Sequence, residues 1–211
     1  MSQKLNEFEK ELLEYRGEQY KADKNMVESL LQKVNRPGIH VICEWLDMKQ
    51  KNGMNFYESP ASTKYHGAGI GGLVKHSLRV YDVFQDLLKK YRQNQPYPKE
   101  ETIILSTLCH DICKVGVYYP QINKSGEYDG RGAFKFNDLL PLGHGEKSVM
   151  ILQQFIQVTD QEMMLIRYHM GPYDPILKTW GMEDKINEKE PLCFWFYMAD
   201  HIASKIEGLE D

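Results

Sequence analysis

Six side chains in this sequence combine reactive chemistry with an apolar setting: His76, His110, Asp111, His144, His169 and Asp200. Helical spacing puts His76 three residues after Leu73 and four before Val80, on one apolar stripe. His110 and Asp111 end the segment that carries Ile103, Ile104, Leu105 and Leu108. His144 follows Gly143 at the start of another helical segment, and His169 continues the face of Leu165 and Ile166. Asp200 follows Leu192 to Ala199, the longest apolar run in the chain. A buried hydrogen-bonding group without a partner costs about 1–3 kcal/mol, so each of these needs one. Four neutral imidazoles and two carboxylates brought to one point form a nitrogen and oxygen donor set that divalent cations satisfy. Two cations about 3.5–4 Å apart lower the pKa of a water towards 7 and hold phosphoryl oxygens for in-line attack.

The elements that must position these residues read as almost all helix. Leu5, Phe8, Leu12 and Tyr15, then Met26, Val27, Leu30, Leu31 and Val34, mark two amphipathic lead helices before the Arg36-Pro37-Gly38 break. A third runs from about Ile39 to Met48, and a glycine-rich loop with Gly67, Gly69, Gly71 and Gly72 follows Ser59-Pro60-Ala61-Ser62. Leu73 to Tyr91 is a helix with one stripe, and Glu100 to Val115 is apolar nearly all round, as an enclosed helix would be. Between Val117 and Phe136, Asn123, Gly126, Asp129, Gly130 and Gly132 stand among aromatic residues, which fits a short β-hairpin or a long loop. Further helices are expected over His144 to Gln157, Thr159 to Met170 and Pro191 to Glu207. Thr159 and Glu162 can form a capping box, Pro191 suits a first turn and Gly208 a stop. The fold class is therefore all-α. Residues 1–60 form a lead that packs on or leads into a core unit of residues 61–211.

Composition narrows the classes. The chain has 211 residues, 42% of them hydrophobic, with 26 Lys plus Arg against 30 Asp plus Glu, a net charge of −4. That describes one globular domain, neither disordered nor built around a broad basic surface for long nucleic acid. Eight apolar residues fall short of the roughly 20 that span a bilayer, and Met1 to Glu7 has no apolar core of the secretory kind. A cytoplasmic location with no membrane partner is expected. Cys43, Cys109, Cys113 and Cys193 sit in apolar stretches without zinc-finger spacing and read as reduced core thiols. Gly67 to Gly72 follows no strand, so it reads as a flexible turn that lets chain and substrate approach the site, not as a dinucleotide loop. Glu146 reads as a solvated glutamate in a first helical turn.

Two local strings carry a resemblance. Tyr65-His66-Gly67-Ala68-Gly69-Ile70-Gly71-Gly72-Leu73-Val74-Lys75-His76-Ser77-Leu78 and Cys109-His110-Asp111-Ile112-Cys113-Lys114-Val115-Gly116, with His144, His169 and Asp200 in order after them, resemble the HD-domain superfamily of metal-dependent phosphohydrolases. The first string is similar to the HxxxxGGLxxHS stretch of the HD domains in bacterial 3′-to-5′ exoribonucleases. The resemblance implies an all-helical HD bundle and a metal site of His76, His110, Asp111 and Asp200. It also implies a second metal at His144 and His169, bridged by Asp111. One or two divalent ions would be bound, drawn from manganese, iron, nickel, cobalt, zinc and magnesium. Asp111 and Lys114 become the catalytic pair, since lysine in HDxxK reaches substrate phosphate in the family; Lys147, Arg167 and His66 are further substrate-binding candidates.

The expected activity is hydrolysis of a phosphoester, mono or di, in a nucleotide or short oligonucleotide by metal-activated water. Two enzymatic alternatives stand beside it: a 3′-to-5′ exonuclease on single-stranded RNA or DNA, and a diiron oxygenase of the HD type. A non-catalytic effector-binding domain is a third. The partner is accordingly a phosphorylated small molecule or short nucleic acid. The lead helices have three open roles: packing on the domain, homo-oligomer formation or binding a partner.

Overall fold

The computed structural model describes residues 7–91, 97–123, 128, 134–177 and 181–210. Leu5 of the first stripe and Gly126, Asp129, Gly130 and Gly132 of the insertion lie outside them. Nine α-helices occur among the described residues: α1 (Glu7–Tyr15), α2 (Glu18–Leu31), α3 (Ile39–Asp47), α4 (Gly72–Tyr91), α5 (Glu100–Cys109), α6 (His144–Leu152), α7 (Asp160–Tyr168), α8 (Met182–Lys189) and α9 (Leu192–Glu210). The strand admitted by the sequence is present as β1 (Tyr118–Pro120) paired antiparallel with β2 (Phe134–Phe136), Tyr118 opposite Phe136. No helix among the described residues is long and apolar enough to cross a membrane.

Helix α4 packs along both α9 and α5, and α7 packs on α5, α6 and α9. Their stripes meet in one core where Leu73, Phe84, Ile104, Leu105, Leu165, Phe196 and Ala199 are fully shielded from solvent. Val27 and Leu31 of α2 and Ile42 and Leu46 of α3 join the same core. A second, smaller cluster joins Phe8 and Leu12 of α1 to Met54, Ile70, Tyr118, Tyr128 and Phe134. Within it the Phe8 ring stands edge-on to Tyr128 and to Phe134, at 5.3 and 6.3 Å.

Several boundaries differ from the expected ones, each for a local reason. Helix α5 stops at Cys109, not Val115, because Asp111 leaves helical backbone at φ −114° and a 3₁₀ turn, Ile112–Lys114, follows. Helix α6 stops at Leu152, not Gln157; the chain then turns so that the Phe155 carbonyl lies where a Cβ on Gly38 would be, 1.8 Å away. Helix α9 continues through Gly208 to Glu210. Helix α8 has no counterpart in the sequence reading, since Ile186 is its one buried apolar side chain and its periodicity is correspondingly weak. The glycine loop is held more tightly than a flexible turn: Gly67 and Gly72 touch backbone to backbone, and a Cβ on Gly72 would meet the Gly67 carbonyl at 2.0 Å.

The expected capping box of α7 is present and does more than cap. Thr159 Oγ1 accepts the Glu162 N–H, and Glu162 Oε2 accepts the Thr159 N–H at 2.9 Å. The same buried carboxylate takes a two-pronged Arg36 guanidinium at 2.6 and 2.8 Å and the Thr102 hydroxyl at 3.0 Å, tying the α2–α3 link, α5 and α7 together. Burial alone would raise the Glu162 pKa, but Arg36 and the Thr159 N–H outweigh it and hold the carboxyl below its ordinary 4.5. Arg36→Ala leaves that charge unpaired and is expected to destabilise the fold by about 3–5 kcal/mol in urea melts. The stability contributed by Glu162 is present above its unfolded pKa and is lost as pH falls through the lower native one. Urea midpoints should therefore drop in acid below about pH 4.5, and Glu162→Gln should flatten that drop.

Candidate metal centre

The site is assembled from helix ends. His110 follows the last residue of α5, and His169 follows the last residue of α7, both still in helical backbone. Each ring is aimed by the same device. The His110 Nδ1–H donates to the Thr107 carbonyl at 2.8 Å, and the His169 Nδ1–H donates to the Ile166 carbonyl at 2.7 Å. A carbonyl can only accept, so the proton sits on Nδ1 and Nε2 faces the site. His76 reaches the same point from the second turn of α4, and Asp200 from α9.

The donors converge. His76 Nε2 lies 3.0 Å from Asp200 Oδ1 and 3.3 Å from His110 Nε2, while Asp111 Oδ2 is 3.8 Å from the first ring nitrogen and 3.4 Å from the second. His169 Nε2 is 3.6 Å from Asp111 Oδ1. His144 stands at the exposed edge, where α6 begins, with Nδ1 3.7 Å from Cys113 Sγ. Asp111, Cys113 and His144 form a further set whose ligand atoms all lie within 4.8 Å of one another. All six expected residues thus surround one region, and Asp111 belongs both with His110 and His169 and with His144.

Charge states suit a cation. Burial opposes ionisation of Asp111, but Lys114 Nζ at 2.6 Å and His110 hold its carboxyl well below the usual range. Burial also opposes charge on Asp200, and the His76 hydrogen bond overrides it, so that carboxyl is likewise lowered. Burial pushes His169 down to about 4, which leaves it neutral at pH 7. Lys114 is raised above its ordinary value, the Asp111 charge outweighing burial, and the buried Cys113 thiol is pushed up to about 12.

Two buried atoms test whether a metal fits. Asp111 Oδ1 and His169 Nε2 have no hydrogen-bond partner, and both present lone pairs, so they cannot satisfy each other. Their 3.6 Å separation suits two ligands of one cation bound at about 2.0–2.2 Å each. The donor set and its orphaned atoms therefore fit divalent metal.

The remaining substrate candidates have partners in the protein. Lys147 pairs with Asp138, and Arg167 pairs with Asp174 and with Glu146 Oε1 at 2.5 Å, so Glu146 is an ion-pair member and not a free glutamate. His66 Nε2 lies 3.3 Å from Ser204 Oγ, and its ring is 5.1 Å from that of His76. His201 turns from Asp200 to stack with Tyr173 and Tyr197. Cys113, Ser204, Asp138 and Asp174 were not singled out as site residues by sequence reasoning. Of these, Cys113 left a local signal, lying two residues past Asp111 in the doublet's own turn.

Helices α6 and α7 come close because Gly145 has no side chain: a Cβ there would meet the Arg167 carbonyl carbon at 2.7 Å and its oxygen at 2.3 Å. Both atoms are backbone, so no rotamer change relieves the clash. Gly145→Ala is expected to cost about 1–3 kcal/mol in thermal or urea unfolding and to weaken cation retention during gel filtration.

A family model described as the HD domain matches residues 73–202. No curated protein and no solved structure matches the chain. The matched span opens three residues before His76 and closes two residues after Asp200, so it encloses every converging donor. The chain belongs to the HD-domain family, a superfamily of metal-dependent hydrolases.

Proposed function

We propose that this protein is a phosphohydrolase that cleaves a phosphoester of a nucleotide or short oligonucleotide with water activated by one or two divalent cations. The lead helices and the HD unit act as one body, in the cytoplasm. The observation that carries the reading is the buried pair of lone-pair donors, Asp111 Oδ1 and His169 Nε2, inside a ring formed with His76, His110 and Asp200. His144 joins this set from the solvent side. Divalent cations bound there supply an acidified water and charge neutralisation at the phosphoryl oxygens.

The chain's own residues do the rest. The Thr107 and Ile166 carbonyls fix the two imidazole tautomers, so their Nε2 atoms need no reorganisation when a cation arrives. Lys114 keeps one Asp111 oxygen in place and brings a permanent positive charge to the centre, where charge grows on the phosphoryl group. His66 and Ser204, hydrogen-bonded to each other beside Asp200, offer polar atoms for a substrate hydroxyl or phosphate. The exposed Tyr173 ring stacked on His201, the residue after Asp200, supports a substrate that carries a base.

Elemental analysis followed by a phosphoester screen with each metal in turn, under air and under nitrogen, tests the reading. Turnover without oxygen and with redox-inert metals is expected. Asp111→Ala should lose its bound cations and activity. Lys114→Ala should keep the cations and lower kcat by roughly 10²–10³. Full activity in Asp111→Ala, or strict dependence on oxygen, overturns the reading.

A further inference from the structure

The resemblance pairs His144 with His169, but the two stand in different surroundings. His169 is buried against Asp111 Oδ1, whereas His144 is exposed and has Cys113 Sγ beside its Nδ1 at 3.7 Å. We propose that Cys113 is a ligand, so that the outer cation is held by Asp111, Cys113 and His144 as an oxygen, sulfur and nitrogen set. This rests on the hydrolase reading above and gives that site a metal preference.

Three observations support the assignment. The ligand atoms of the three residues all lie within 4.8 Å of one another. The sulfur is held in place: the Cys113 N–H donates to Ser148 Oγ at 3.3 Å, which pins the 3₁₀ turn to α6, the helix that begins with His144. Asp111, the third member, has a buried oxygen without a partner. Cys109 and Cys193, by contrast, belong to the apolar core.

A thiol that binds a cation through sulfur releases its proton to solvent, and thiolate selects zinc, iron or cobalt over magnesium, calcium or manganese. Magnesium alone should therefore leave the outer position empty. The exposed His144 ring gives that position a solvent-side entrance.

Cobalt loading of the whole chain tests this without reference to turnover. A near-ultraviolet charge-transfer band between thiolate and cobalt is expected. Cys113→Ser should lose the band and about one cobalt per chain, while Cys43→Ser, a change in α3, keeps both. His144→Ala changes an exposed residue and so spares the core; it should also lose the outer cobalt and its band. Circular dichroism checks that each variant is folded, and if Cys113→Ser is not, His144→Ala decides. Cobalt bound without a thiolate band, or a band unchanged in Cys113→Ser or His144→Ala, overturns the thiolate and leaves the hydrolase reading standing. No cobalt bound at all overturns both.

Discussion

The rest of the structure is arranged around one carboxylate. Asp111 is buried, one of its oxygens is held by Lys114, and the other faces lone pairs with nothing to donate to it. Its charge is paired with Lys114, but the second oxygen has no hydrogen-bond donor, a buried deficit of about 1–3 kcal/mol that a bound cation would remove. The neighbours follow from this. Three imidazoles and a second carboxylate ring the same point, and none of them carries a permanent positive charge.

Helix polarity reinforces the effect. Helices α5 and α7 both end at the centre, each with a histidine just past its last residue. The partial negative charge of two helix C-termini falls on the same region and favours a cation there. Each ring reaches a carbonyl three residues back in the last turn of its helix, where the carbonyls lack intrahelical N–H partners. The dipoles and the aiming of the rings thus come from one choice of geometry. The Glu162 network holds it together at a distance, since its carboxylate joins α5 to α7 and so fixes the spacing between the two helix ends.

Much of this was legible in the sequence because the informative residues are out of place there. A histidine in an apolar stripe, as at position 76, or an aspartate after eight apolar residues, as at position 200, announces burial and a need for a partner. The capping box at Thr159 and Glu162 was legible for the same reason, as a local pattern with a local cause. What could not be read was pairing across the chain. Nothing in the vicinity of Lys147 or Arg167 reveals that Asp138 and Asp174 neutralise them, and Arg36 gives no sign of Glu162, 126 residues away. The missed α8 shows the other limit: with one buried side chain in eight residues, it has no stripe to detect.

The smaller apolar cluster has a consequence for motion. Phe8 and Leu12 rest on Tyr128 and Phe134 and not on the main core, so α1 and the two-stranded sheet share a private set of contacts. Regions with separate cores open separately, at a free energy below that of global unfolding. Strand β1 begins four residues after Lys114, which puts this cluster next in sequence to the turn that seats the central carboxylate. A local opening of that cluster would therefore reach the Asp111 turn before it reached the main core.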